Sequence, residues 1–133
     1  MKEMERIVKH IQRLGGRYKA NPKVPVDHPN LHQNVKYFLG AEWEDNIRFK
    51  GSYSGWKVPL LDISVCRVEG EKPWEKLALG DADGGNYSVE ISLAMSHKNP
   101  QVFLRDNHDN SKVLLSRTFV GFLSKLRVDK RKI

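Results

Sequence analysis

The stretch from Leu77 to Ile91 constrains the fold of this chain more than any other. Leu77 and Leu79 alternate with Ala78 and Gly80, so the two leucines fall on one face of a strand. Tyr87, Val89 and Ile91 alternate with Ser88, Glu90 and Ser92, a period of two that buries one face and wets the other. Between them stands Asp81-Ala82-Asp83-Gly84-Gly85-Asn86, where glycine takes a positive φ without steric cost. The pattern predicts a β-hairpin closed by a tight acidic turn.

A second unit follows. Val102-Phe103-Leu104 is a short β-type run that ends in the turn formers Asp106-Asn107-His108-Asp109-Asn110. Ser116 to Leu126 then places Phe119, Phe122, Leu123 and Leu126 at helical spacing, with Ser116 in the N-cap position. The order of these pieces resembles the SUKH superfamily, the Smi-and-Knr-like proteins: a Gly-Gly-Asn-Tyr strand, a strand ending in Asp-x-His-Asp, and a Ser-x-x-Phe-x-x-Phe-Leu helix. The likeness covers roughly Leu77 to Leu126, and the first forty residues more loosely. In that earlier part Pro29 and Tyr37-Phe38-Leu39 fill family positions, while His28 stands where the family has leucine.

Upstream, Met4, Ile7, Val8, Ile11 and Leu14 form an apolar stripe that predicts a helix from about Lys2 to Leu14, stopped by Gly15-Gly16. Pro22, Pro25 and Pro29 mark a loop, and a second helix is expected from Pro29 or Asn30 through Leu39. A strand is expected near Asn46–Lys50, then a Gly51-Ser52-Tyr53-Ser54-Gly55 loop. One strand or two short ones follow between Val58 and Val68. At 133 residues the chain reads as one domain, 1–133, able to bury about two-thirds of its unfolded surface. The expected class is α+β: a twisted antiparallel sheet of four to six strands with helices packed mainly on one face. Its core should hold Leu77, Leu79, Tyr87, Val89, Ile91, Val102 and Leu104.

The formal charge is +7, and it is uneven: residues 1–23 carry +5 and residues 124–133 carry +4, which leaves the body at −2. Two basic ends can form one patch if they meet, or can act as solvated ends. Cys66 is alone, which excludes an internal disulfide and a multi-cysteine zinc site. With no apolar signal core and no apolar run of bilayer length, a reducing, cytoplasmic location is expected.

Asp81-x-Asp83 opens like a calcium loop, yet the sixth position is Asn86 and the twelfth is Ser92. The Gly51–Gly55 run has Tyr53 where a hydrolase elbow needs serine. His28 and His32 stand four apart without a third ligand, and His97 and His108 have no nucleophile partner readable from sequence. No catalytic residue, metal or cofactor is assigned.

The resemblance implies more than the composition does. Many bacterial SUKH proteins are immunity proteins that bind and block the toxin domain of a polymorphic toxin, through a binding surface and no shared catalytic centre. It also implies a structural role for His108, with its imidazole bonding the turn backbone. On that reading the partner is a cognate protein toxin domain, and the contact residues are loop aromatics and loop acids: Trp43, Tyr53, Trp56, Asp81 and Asp83. Two alternatives stay open. One is a basic nucleic-acid-binding module using Lys130, Arg131 and Lys132; the other is a regulatory protein-interaction scaffold.

Overall fold

The computed structural model describes residues 3–53, 55–93 and 100–129. Ser54, His97, Lys130, Arg131 and Lys132 therefore lie outside the described residues. The chain folds as α+β in the order α1 (Glu3–Arg13), α2 (Gln33–Leu39), β1 (Phe49–Tyr53), β2 (Trp56–Leu61), β3 (Arg67–Glu69), β4 (Lys76–Ala82), β5 (Tyr87–Ser92), β6 (Val102–Asp106), β7 (Lys112–Ser116), α3 (Phe119–Ser124) and β8 (Leu126–Val128).

The strands form two antiparallel sheets where the sequence suggested one. Strands β3 to β7 make a five-stranded meander in chain order, and β2-β1-β8 make a three-stranded sheet closed by the last strand. Among the described residues one bridge, Asp62 to Asp81, joins them, and a Cβ on Gly80 would run into the Asp62 carbonyl at that contact. The second sheet is hard to foresee because β8 pairs with β1 across most of the chain.

The hairpin forms as the pattern requires. Leu77 lies opposite Ile91, Ala78 opposite Glu90 and Asp81 opposite Ser88. The turn is a 3-10 turn over Asp83–Gly85, with Gly84 and Gly85 at φ 64° and 98°. Leu77, Leu79, Val89, Ile91, Val102 and Leu104 are buried as expected, whereas Tyr87 is half-buried against the core. Helix α1 buries Ile7 and Ile11, Leu14 is buried just beyond it, and the Gly16 amide donates back to the Ile11 carbonyl to close its end.

Two helix boundaries differ from expectation because of side-chain caps. Helix α2 starts at Gln33, since His32 Nδ1 accepts from the Asn34 amide at 3.1 Å. Helix α3 starts at Phe119, since Thr118 Oγ1 accepts from the Gly121 amide at 3.0 Å; Ser116 belongs to β7 and Leu126 to β8. The end of α3 is tied from two sides. Arg13 donates to the Leu123 and Leu126 carbonyls at 2.8 and 2.9 Å, and Tyr53 Oη donates to the Phe122 carbonyl at 2.7 Å. These bonds add to the Lys125 amide, which already donates to the Phe122 and Leu123 carbonyls, and they carry the tie on into β8 through Leu126.

Candidate functional site

The tips of two hairpins of the five-stranded sheet meet at one end of the molecule. The Asn107 amide donates to the Asn86 carbonyl at 3.0 Å, and Asn107 Nδ2 donates to the Gly85 carbonyl at 2.9 Å. His108 Nε2 lies 3.1 Å from Asn86 Oδ1, so its imidazole bonds a side chain of the neighbouring turn and not the turn backbone. This lacing fixes two loops that would otherwise move independently.

Acids crowd this end. Asp83 stands on the first tip, exposed and at φ 52°. Asp106 Oδ1 accepts from the His108 amide at 2.8 Å. Asp109 Oδ1 accepts from the Ser111 hydroxyl and amide, at 2.7 and 2.9 Å, and these bonds hold its carboxyl below the usual range. Beside them opens a cleft of about 200 Å3 lined by Trp56, Tyr87, Leu104, Asp106, Ser111 and Val113. Trp56 is 47% exposed at its lip. An accessible indole beside a cleft with carboxyl groups near it is suited to holding a protruding side chain of a positively charged protein surface.

The five side chains expected to contact a partner do not gather in one place. Trp56 and Asp83 lie at the cleft end, where β2 passes the 83–85 turn. Trp43 is half-buried: its Nε1 donates to the Phe38 carbonyl at 2.8 Å and its ring packs edge-on against Phe49. Tyr53 is 4% exposed, sits in β1 rather than in a loop, and stacks on Phe122 at 5.2 Å. Both rings lie over glycines, Gly16 and Gly51, where a Cβ would collide with them. Trp43 and Tyr53 thus pack into the core, Tyr53 from a strand where a loop was expected. Asp81 faces the other side of the sheet.

That other side is a lattice of ion pairs. Glu90, expected on a wetted face, is 2% exposed. Lys112, Lys76 and Arg105 surround its carboxylate at 3.3, 3.7 and 3.8 Å. Arg105 also bonds Glu69 at 3.1 Å, and Arg67 bridges Asp81 at 3.1 Å and Glu69 at 3.7 Å. Ser88 Oγ donates to Asp81 Oδ1 at 3.1 Å. The register explains the gathering: Ala78 opposite Glu90 leaves space above the central strand, and long cations from β4, β6 and β7 fold over it.

Among the described residues no three His, Cys, Asp or Glu side chains converge as metal ligands. His28 is buried with Nε2 3.3 Å from Glu75 and Nδ1 accepting from Asn30, while His32 caps α2. Burial pushes the Cys66 thiol up to about 11. Sequence reasoning missed Tyr87, Asp106, Asp109 and Ser111 as cleft and rim residues; the Asp106–Asn110 cluster was their only signal, and it read as a turn. No helix among the described residues is long and apolar enough to cross a membrane. No family model, curated protein or solved structure matches the chain.

Proposed function

We propose that this chain is a SUKH-like immunity protein that binds a cognate toxin domain and blocks it stoichiometrically. The observation that carries the reading is the half-exposed Trp56 at the lip of a preformed cleft, with Asp83, Asp106 and Asp109 at the same end. Aromatic anchors in pockets dominate protein interfaces, and a surrounding set of like charges steers an oppositely charged partner. Support also comes from the continuity of the pieces that carry the resemblance. The Gly84-Gly85-Asn86-Tyr87 turn, the Asp106–Asp109 turn and helix α3 belong to successive elements, and Asn86 and His108 join the first two directly.

The toxin partner is then a protein with a basic face, and inhibition works by covering its active site or substrate path. The test is co-expression with the toxin domain encoded beside this chain's gene. Growth protection and a one-to-one complex are expected. Trp56→Ala should weaken that complex by about 30-fold, the equivalent of a hot-spot loss of about 2 kcal/mol. No protection by the parent chain, or full affinity without the indole, contradicts the reading.

A further inference from the structure

We propose that the outer face of the three-stranded sheet is a binding surface for the phosphodiester backbone of nucleic acid. Lys50, Lys57 and Arg127 line a groove of about 450 Å3 there, together with Ser52, Val58 and Leu60. It shares no lining residue with the Trp56 cleft and goes beyond the toxin-binding reading.

The strand register builds this face. Lys50 lies directly opposite Arg127, and Ser52 lies directly opposite Lys57. With strands about 4.8 Å apart and a rise of about 3.4 Å per residue, the three cations form a diagonal row roughly 12 Å long. Like charges set opposite each other across strands destabilise a sheet, so the Lys50–Arg127 pairing works against folding. Compensation is slight. Asp129 approaches Lys50 at 3.9 Å, while Lys57 and Arg127 have no acidic partner within 4 Å among the described residues. Among the described residues no carboxylate lines the groove.

The contrast within the molecule makes this more than ordinary surface charge. Every cation on the strands of the five-stranded sheet, Arg67, Lys76, Arg105 and Lys112, sits in an ion pair. The same chain thus neutralises one sheet and leaves the other open to an anion. A row of cations suits a row of phosphates. Among the described residues no aromatic ring lines the groove, so recognition rests on phosphate contacts and is independent of sequence.

The test is fluorescence anisotropy of the full chain with a labelled single-stranded DNA about 20 nucleotides long, across 50 to 200 mM salt. Three phosphate contacts give a log–log salt slope of about −2, hence an affinity loss on the order of 15-fold over that range. Lys57→Glu with Arg127→Glu should weaken binding at least tenfold at 50 mM salt and flatten the slope to about −0.7. Lys23→Glu with Lys72→Glu changes net charge equally on exposed loops and should weaken binding less than threefold. Should the charge reversal unfold the chain, Lys57→Gln with Arg127→Gln gives the same comparison with a smaller perturbation. No binding at 50 mM salt, an equal loss in the loop variant, or equal affinity for polyglutamate overturns the proposal.

Discussion

On the outer face of the five-stranded sheet, Arg67, Lys76, Arg105 and Lys112 share the carboxylates of Glu69, Asp81 and Glu90. On the outer face of the three-stranded sheet, Lys50 has Asp129 at 3.9 Å, while Lys57 and Arg127 have no acid within 4 Å among the described residues. The residue types are alike and the surroundings are opposite. Glu90 is at the middle of a central strand, where neighbours on both sides can reach it and shut out water. The smaller sheet has no such acid on its central strand β1, so its cations remain extended in solvent. Cross-strand register, more than composition, decides whether a charged β-face becomes structure or remains free to bind.

The sharpest way to break this comparison is to remove the central acid. Glu90→Ala leaves Lys76, Lys112 and one side of Arg105 facing one another, and breaking a buried pair of this kind costs about 3 kcal/mol. The expected result is a fall in melting temperature of roughly 10 °C, read by circular dichroism. An unchanged melting temperature would mean that the lattice contributes nothing to stability.

A smaller effect comes from pH. Cys66 immediately precedes β3, and burial raises its thiol from 9.0 to about 11 in the folded chain. Between those values the unfolded chain has released the proton and the folded chain still holds it, so stability is lost as pH rises through the window. Cys66→Ser, whose hydroxyl does not titrate there, should flatten the decline in melting temperature between pH 9 and 11. An identical pH profile would contradict the burial of the thiol.

Much of the fold was legible because its signals are local. Strict alternation from Tyr87 to Ile91 and the paired glycines Gly84 and Gly85 specify the hairpin with no knowledge of the rest of the chain. The division into two sheets was not legible, since it depends on Leu126–Val128 returning to Phe49–Gly51, and in sequence Leu126 reads as the last turn of a helix. Alternation also could not separate a wetted face from one covered by its own ion pairs, which is how Ser88 and Glu90 were misplaced. At the candidate site, Trp43 and Trp56 look equivalent in sequence. Only packing distinguishes them: Gly16 makes room for the ring of Trp43, while Trp56 ends half-exposed at the lip of the cleft.

Charges on the five-stranded sheet hold the fold together, and those on the three-stranded sheet do not. Paired double-mutant cycles read by denaturant unfolding test this difference. One cycle takes Glu90→Gln and Arg105→Gln, 3.8 Å apart and both buried; the other takes Lys50→Gln and Arg127→Gln, opposite each other on β1 and β8. A favourable coupling of about 1–2 kcal/mol is expected in the first cycle, little changed by salt. In the second an unfavourable coupling below about 0.5 kcal/mol is expected, vanishing as salt is added. Equal couplings in the two cycles, or a favourable one between Lys50 and Arg127, would contradict it.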